Sequence, residues 1–243
     1  MAEVAEVAEV MVVVNDMSTR QVVVTGGGRG IGRAIVEALA GDGFDVSFTY
    51  RSSADEARDL VAALAGKWPE QNFRSYRSDL ASRDEVEALA GEIGRLDALY
   101  GFVHNAGMSY DALAAAIDQD RGEAAMQVNF WSMTRLAKAA IRPMMRARTG
   151  RVVGIGSINA LYGSTGNATY AATKGAMLSY VKTLAVEIAR KGVTANYIAP
   201  GFVDTEMLAP YGAQREALEK QIPMQRFARP DEVAGVVCYL LAP

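Results

Sequence analysis

The chain has 243 residues, enough for one large α/β domain with a full core or for two small domains. Half of its residues are hydrophobic, 22% are charged and the formal net charge is −3, a balance that gives no electrostatic reason to expect a nucleic-acid partner. One cysteine, Cys238, and one histidine, His104, exclude an internal disulfide, a cysteine-based metal site and a His-x-x-x-His zinc pair, so we expect no metal.

The chain begins with a short three-residue repeat, AEVAEVAEV, which carries acids and no basic segment. It lacks the pattern of a secretory signal, and no apolar run reaches membrane-spanning length, so we expect a cytoplasmic protein with no membrane partner. We interpret residues 1–16 as a disordered extension and place the start of the fold near Met17. Residues 17–243 are then predicted to form one domain.

The first predicted strand is a β-branched run that ends in a glycine-rich turn. Gln21–Thr25 is followed by the turn Gly26–Gly32 (GGGRGIG) and by a helix that begins near Arg33. Such a turn forms an anion site, because free backbone N–H groups and the helix dipole point at it. The glycine spacing differs from the dinucleotide fingerprint Gly-x-Gly-x-x-Gly, so a turn that binds no ligand is the alternative interpretation.

The second predicted strand, Phe44–Tyr50, is followed by a basic residue. In NAD-selective folds an acidic side chain about 20 positions beyond the glycines binds the adenosine ribose. Here Arg51 and Ser52 stand at that place, and Arg29 lies inside the glycine turn. Two cations favour a 2′-phosphate and therefore NADPH, although either arginine alone is typical of a solvated surface charge.

Helices and strands then alternate toward the middle of the chain. The predicted elements are helices at 54–66 and 83–93 and strands at 73–76 and 99–103. The chain leaves the third strand at Asp79 and Leu80. The fourth ends in a turn that contains Asn105, Ala106 and Gly107, where small residues let a cofactor lie close to the strand end. The single histidine of this turn is expected to make packing or polar contacts.

A long helical segment is predicted from about Arg121 to Arg148, with a kink or break at Pro143. Asn129 lies among the regularly spaced apolar residues of this helix. A hydrogen bond made within the core is the alternative to a functional role for its side chain. The basic end of the segment is interpreted as helix capping and solvation.

The clearest chemical pattern follows a fifth predicted strand, Arg151–Gly156. Ser157 stands at the strand end, and Tyr170 and Lys174 lie one turn apart on one face of a helix predicted over 167–190. A phenol has a pKa of about 10, and a lysine ammonium nearby favours the phenolate and lowers that pKa. The serine hydroxyl can hydrogen-bond a carbonyl oxygen and hold it in front of the phenol. No side chain can supply a hydride, so a hydride requires a cofactor. The alternative is that Tyr170 and Lys174 are an ordinary pair of neighbours on a helix and that Ser157 is a turn residue.

The rest of the chain completes an alternating pattern. A sixth strand is predicted at 193–198, a substrate loop or lid with short helices at 202–224, and a last helix from Pro230. This alternation predicts one Rossmann-like α/β fold, a doubly wound parallel sheet with helices on both faces and ligands at the carboxyl ends of the strands. The candidate site features that follow predicted strand ends are the glycine turn, Arg51, Asp79, Asn105, Ser157 and Pro200.

In these ordered motifs the chain resembles the classical short-chain dehydrogenase/reductase family over about residues 18–242. The residues that carry the resemblance are Thr25–Gly32, Asp79, Asn105–Gly107, Asn129, Ser157, Tyr170–Lys174 and Pro200–Thr205. Within the family the stretches 150–157, 199–207 and 222–233 are most similar to 3-oxoacyl-[acyl-carrier-protein] reductases.

The resemblance implies NADPH-dependent reduction of a 3-oxoacyl thioester, linked to acyl carrier protein, in fatty-acid or related acyl-chain biosynthesis. Tyr170 would donate the proton and Ser157 would orient the carbonyl. Lys174 would lower the Tyr170 pKa and bind the nicotinamide ribose, and Asn129 would hold the water of a proton relay. The residues expected to bind NADPH are Gly26, Arg29, Gly30, Ile31, Arg51, Ser52, Asp79, Leu80, Asn105, Ala106, Gly107, Tyr170, Lys174, Pro200, Val203 and Thr205.

The resemblance also implies a homo-oligomer, a dimer or tetramer, packed partly through the helices that carry Asn129 and Tyr170. An acidic carrier protein makes Arg148 and Lys191 candidate docking cations if they lie near the mouth of the site. Family members normally continue past the last helix into another strand, whereas this sequence stops at Pro243, so we expect that strand to be absent and a sheet edge to be unpaired.

Two other functions stay open from the sequence. One is a short-chain reductase of another ketone or sugar carbonyl. The other, of a different class, is a family member that binds NADP without catalysis.

Overall fold

A computed structural model describes residues 20–96 and 99–243 of the protein. The expected disordered extension at 1–16 and the expected start near Met17 lie outside the described residues.

Within the described residues, six parallel strands form one sheet. They are β1 Gln21–Thr25, β2 Asp45–Tyr50, β3 Phe73–Arg77, β4 Leu99–His104, β5 Gly150–Ile155 and β6 Val193–Ile198. Their spatial order is β3-β2-β1-β4-β5-β6. The order reverses between β1 and β4, the switch point at whose carboxyl edge ligands bind in sheets of this kind. Each predicted strand is present, with bounds within one residue of those predicted.

Helices cover both faces of the sheet. They are α1 Gly30–Gly41, α2 Ala54–Lys67, α3 Arg83–Gly94, α4 Gln119–Met126, α5 Ser132–Ala147, α6 Ala168–Ile188, α7 Arg215–Glu219 and α8 Pro230–Leu241. Val22 and Val24 of β1 face a core shared with α1 and α8, whereas Val23 faces a core shared with α3, α5 and α6. This alternation follows from the two-residue period of a strand, and burial on both faces explains its β-branched sequence. The doubly wound parallel fold is therefore confirmed.

The segment predicted as one helix from Arg121 to Arg148 is divided at another place than expected. A π-helical turn, Gln127–Trp131, joins α4 to α5, and α5 continues through Pro143 to Ala147. The expectation of a break at Pro143 is wrong, because only one turn of helix follows the proline and a single lost hydrogen bond is tolerated there. The interruption lies instead around Asn129, a placement typical of π-helical turns at functional sites.

The predicted substrate segment contains short helices, as expected. A 3₁₀ helix, Glu206–Gln214, leads into α7. Arg215 fixes the base of this segment through two hydrogen bonds of 2.8 and 2.9 Å to the Asp204 carboxylate. The Arg215 guanidinium also lies 4.7 Å from the centroid of the Phe227 ring. No helix among the described residues has the length and apolar character needed to cross a membrane.

Candidate active site

The carboxyl ends of the first five strands open onto one cavity of about 430 Å³. It extends from the glycine turn after β1 to the side chains of Tyr170 and Lys174 on α6. The predicted residues that line it are Gly26, Arg29, Gly30, Ile31, Arg51, Ser52, Asp79, Leu80, Asn105, Ala106, Gly107, Tyr170, Lys174 and Thr205. Pro200 and Val203 lie outside this lining. Val203 is 5% exposed and pairs with Ala228 in a β-bridge, so its side chain belongs to the base of the substrate segment.

The glycine turn has the shape of an anion site because α1 packs directly against it. A Cβ on Gly32 would lie 2.0 Å from the Gly26 carbonyl oxygen, and Gly26 itself has a φ of 68°, which favours glycine. No side chain caps the start of α1, and its first turn contains no acid. The helix N-terminus therefore presents free backbone N–H groups to the cavity, an arrangement that fits a diphosphate.

The far end of the cavity is lined by cations and hydroxyl groups. Arg29 and Arg51 both reach it, together with Ser52 and Ser53. This donor set fits a 2′-phosphate, which favours positively charged partners. Glu56 also lines this end of the cavity, although it was not predicted as a site residue. An acid in the first turn of α2 is already explained by its favourable interaction with the helix dipole.

Asn105 acts as a structural tie between the turns after β1 and β4. Its Nδ2 donates to the carbonyl oxygens of Thr25 and Gly26 at 3.1 Å each. The Thr25 hydroxyl oxygen accepts from the backbone N–H groups of Asn105 and Ala106 at 3.1 and 3.0 Å. These contacts hold the glycine turn and the β4 end in one rigid unit.

The same network fixes the state of His104. Since the Thr25 oxygen already accepts twice, its own hydrogen is left for His104 Nδ1, 3.2 Å away. The histidine is therefore neutral, with its proton on Nε2. Burial, reinforced by the Lys174 charge, lowers the pKa of His104 to about 3. The polar-contact role expected for this residue is confirmed.

Lys174 is buried beneath the cavity, with 3% of its surface exposed. Its Nζ donates to the Ile155 carbonyl oxygen at 2.9 Å and lies 5.7 Å from the centroid of the Tyr170 ring. Burial lowers the pKa of Lys174 to about 8. A Cβ on Gly107 would lie 3.4 Å from this ammonium, so the glycine leaves room for it.

Tyr170 does not show the lowered pKa expected from its lysine neighbour. Burial raises the Tyr170 pKa to about 12, a hydrogen bond with the Ser157 side chain opposes part of this change, and Tyr197 and Asp111 add to it. The expectation is corrected because desolvation of the phenolate outweighs an ammonium that is itself buried and directed at a carbonyl. The phenol is consequently protonated near neutral pH, the state that a proton donor requires.

Asn129 is fully buried and its side chain is held by three hydrogen bonds. Its Oδ1 accepts from Met108 N at 2.8 Å, while its Nδ2 donates to Met108 O at 3.0 Å and to Thr173 Oγ1 at 2.9 Å. The side chain therefore makes the satisfied core contacts that the sequence left open as an alternative. It ties the β4 loop to α6 one residue before Lys174.

Tyr197 is a site residue that sequence reasoning missed. Its hydroxyl accepts from Ser157 N at 3.0 Å and lies 3.2 Å from Ser157 O and 3.3 Å from Lys174 O. A Cβ on Gly156 would lie 1.8 Å from the Tyr197 ring, so this glycine makes room for the ring. The signal was a glycine directly before Ser157 and a tyrosine in the strand that pairs with β5.

The comparisons with known proteins agree with this geometry. Residues 26–243 match the sequence profile of a family described as Enoyl-(Acyl carrier protein) reductase. A short-chain dehydrogenase from Burkholderia cenocepacia, solved in complex with NADP, superposes with a TM-score of 0.85 at 30% identity, covering 94% of this chain and 93% of that one. The chain belongs to the short-chain dehydrogenase/reductase family.

Within that family, two curated relatives have assigned reductase activities. The 3-oxoacyl-[acyl-carrier-protein] reductase FabG of Vibrio cholerae is 34% identical over 90% of this chain and 88% of its own length. The acetoacetyl-CoA reductase of Synechocystis is 35% identical over 93% of this chain and 90% of its own.

Proposed function

We propose that the protein is an NADPH-dependent reductase that converts a 3-oxoacyl thioester, linked to acyl carrier protein, to the 3-hydroxyacyl thioester in fatty-acid or related acyl-chain biosynthesis. The observation that carries the proposal is the single cavity that connects the glycine turn and Arg51 with Tyr170 and Lys174. The proposed nucleotide site and the proposed proton donor would then share one space, which supports transfer of a hydride and a proton to one substrate. The activities named for the Vibrio cholerae and Synechocystis relatives support the choice of an acyl thioester.

The cofactor assignment follows from the residues at the two ends of the cavity. The uncapped start of α1 would bind the diphosphate, and Arg29 and Arg51 would bind the 2′-phosphate that distinguishes NADPH from NADH. The cofactor supplies the hydride that no side chain can provide. The NADP complex of the Burkholderia cenocepacia relative supports this choice.

The protein's own groups would handle the proton and the substrate oxygen. The Ser157 hydroxyl would donate a hydrogen bond to the 3-oxo oxygen and hold it beside the Tyr170 phenol, which would give its proton to that oxygen. Lys174 would contribute positive charge beneath the site and bind the nicotinamide ribose. Because both amide hydrogens and one oxygen lone pair of the Asn129 side chain are engaged, we assign the relay water to its main-chain carbonyl.

The test is a substrate panel with NADPH, followed by loss of its absorbance. Acetoacetyl-CoA should be turned over with a kcat/KM at least about a hundredfold above that for a simple ketone, a sugar or crotonyl-CoA. Crotonyl-CoA tests the enoyl reduction named in the family description, in which hydride goes to C3, the charge passes to the thioester oxygen as an enolate and a proton is added at C2. That substrate has no 3-oxo oxygen for the Ser157–Tyr170 pair to bind. A higher kcat/KM for another carbonyl compound would mean that the acyl thioester is not the substrate. NADPH binding without turnover of any substrate would indicate a non-catalytic member of the family.

Arg148 and Lys191 do not lie near the mouth of the site. They stand just before β5 and β6, at the amino edge of the sheet, whereas the cavity that contains Tyr170 and Lys174 opens at the carboxyl edge. We therefore propose acyl carrier protein as the carrier of the substrate and assign no docking role to these two cations.

We also propose a homo-oligomer, a tetramer or dimer, that packs through the helices around Asn129 and Tyr170. Trp131 is 48% exposed and Val186 is 79% exposed on these helices, apolar surface that a second copy would cover. A cytoplasmic location is proposed because NADPH and acyl thioesters are available there.

A further inference from the structure

Asp111 is a carboxylate that joins two segments whose neighbouring residues line the cavity. It lies in the loop that leaves Gly107 after β4, and the Ser109 hydroxyl donates to its Oδ1 at 3.0 Å. The hydroxyl of Tyr211, from the 3₁₀ helix Glu206–Gln214, donates to its Oδ2. One side chain therefore connects the β4 loop with a segment that is 100 residues away in the sequence.

The backbone next to Asp111 is fixed to the start of α6. Ala112 N donates to Gly166 O at 2.8 Å, and Ala112 pairs with Asn167 in a β-bridge. Asn167 is held in turn by Asn159 Nδ2, 3.1 Å from its Oδ1, in the turn that follows Ser157. Asp111 is consequently held beside the first turn of the helix that presents Tyr170.

The segment that carries Tyr211 also borders the cofactor cavity. Thr205, Glu206 and Met207 line the cavity at the base of this segment. Arg215, which follows the segment, forms an ion pair with Asp204, which precedes it, so the two ends of the segment lie close together. Between these two ends, Tyr211 connects the segment to the β4 loop through its hydrogen bond to Asp111.

We propose that Asp111 is a positioning residue that fastens the segment 206–214 across the substrate cleft through Tyr211, so that closure of this segment fixes a negative charge beside Tyr170. The proposal deepens the reductase function proposed above and rests on it.

The charge has a direct consequence for proton transfer. The groups that face Tyr170 are Ser157, Lys174, Tyr197 and Asp111. Ser157 and Tyr197 are neutral, and the Lys174 ammonium favours the phenolate, so the Asp111 carboxylate is the charged group of this set that opposes the phenolate. With the segment closed, Asp111 helps to keep the proton on Tyr170 until the substrate oxygen takes it.

Two substitutions separate the hydrogen bond from the charge. Asp111→Asn keeps an oxygen that can accept from Tyr211 but removes the charge, and Tyr211→Phe keeps the charge but removes the hydrogen bond. Tyr162→Phe is the matched control, because Tyr162 is 71% exposed and its hydroxyl has no hydrogen-bond partner among the residues that the structure describes.

The first measurement is hydrogen exchange of the backbone amides of 206–214, which needs no substrate. Tyr211→Phe should speed this exchange about tenfold to a hundredfold, the effect of losing one hydrogen bond to a charged group. Asp111→Asn, which keeps a weaker, uncharged hydrogen bond, should speed the exchange about threefold to tenfold, and Tyr162→Phe should remain within about twofold of the wild type.

The second measurement is the pH profile of kcat/KM for NADP⁺-dependent oxidation of 3-hydroxybutyryl-CoA. In this direction the hydroxyl proton passes to the Tyr170 phenolate while the hydride leaves to NADP⁺, so activity rises as Tyr170 is deprotonated. Asp111→Asn should move the rising limb to lower pH by about half a unit to one unit. Tyr211→Phe should raise the KM severalfold.

The proposal is overturned if Tyr211→Phe exchanges like the wild type, or if Asp111→Asn leaves the rising limb in place. A wild-type protein that does not oxidise 3-hydroxybutyryl-CoA rejects the proposed substrate instead. In that case the exchange data alone uphold or overturn the fastening role of Asp111.

Discussion

At the scale of single residues, the site depends on side chains that hold the reacting groups from behind. The Tyr197 hydroxyl binds the backbone of Ser157 and lies near the carbonyl of Lys174. It thereby connects Ser157, which would orient the substrate oxygen, with the helix that carries Tyr170. A buried N–H that loses its acceptor costs about 1–3 kcal/mol, enough to displace Ser157 by moving its backbone.

Tyr197→Phe should therefore lower kcat about tenfold or more and leave the NADPH dissociation constant unchanged. Steady-state kinetics and cofactor titration measure the two quantities. Tyr180→Phe is the control, because Tyr180 is also a partly buried tyrosine and its hydroxyl bonds to none of the described residues. Equal kcat values for the two variants would mean that Tyr197 does not position Ser157.

His104 gives a prediction about stability at acidic pH. Its pKa is about 3 in the folded protein and 6.5 when the side chain is fully solvated, as in the unfolded chain, so the unfolded state binds more protons between these values. Stability is then fully retained above pH 6.5 and lost as the pH falls toward 3, by about 1.4 kcal/mol for each pH unit at most.

Denaturant unfolding of the wild type and of His104→Gln at about pH 7 and about pH 5 tests this. Glutamine retains hydrogen-bonding groups and does not titrate, so the variant should lose less stability on acidification than the wild type. Identical losses would show that the protonation of His104 is not responsible.

Residue roles differ in how far the sequence reveals them. The spacing of Tyr170 and Lys174 and the glycine turn indicate the cavity from the sequence alone, because helix periodicity and strand ends dictate which side chains meet. The direction of the Tyr170 pKa was wrong, since burial depends on the whole fold and no spacing reports it. Tyr197 and Asp111 were missed because each acts through a contact made between distant segments.

At the scale of elements, α1 and the glycine turn form a unit with no spare volume. The Gly26 carbonyl oxygen occupies the place where a Cβ on Gly32 would lie. A side chain there must push α1 away from β1 and change the spacing of the N–H groups that face the cavity. This close approach, more than backbone freedom, explains the glycine at position 32.

Gly32→Ala should reduce the free energy of unfolding by about 1–3 kcal/mol and abolish measurable NADPH binding. Gly91→Ala is the matched control, because Gly91 lies inside α3 with no atom within 4 Å of its added Cβ. That variant should instead be more stable by about 0.5–1 kcal/mol. Retention of NADPH binding by Gly32→Ala would contradict the role assigned to the turn.

Element positions followed from periodicity almost throughout. Strands rich in valine, bounded by glycine, and helices with apolar stripes give strong local signals. The exception is the π-helical turn around Asn129, where buried hydrogen bonds to Met108 and Thr173 override the helical pattern. Those partners lie 21 and 44 residues away, so local sequence could not identify them.

At the scale of the whole molecule, parallel strands bring their carboxyl ends to one edge, and this edge holds both halves of the proposed chemistry. The nucleotide half is built by β1, β2 and their turns, and the proton-donating half by β5 and α6. The cavity between them is continuous. This arrangement supports NADPH-dependent carbonyl reduction over binding of a nucleotide alone.

The most direct measurement is turnover of acetoacetyl-CoA by the wild type and Tyr170→Phe, combined with NADPH titration of both. We predict that the wild type oxidises NADPH in step with substrate, while Tyr170→Phe loses at least about a hundredfold in kcat and binds NADPH as well as the wild type. Turnover that survives the loss of the Tyr170 hydroxyl would contradict the assignment of this phenol as the proton donor.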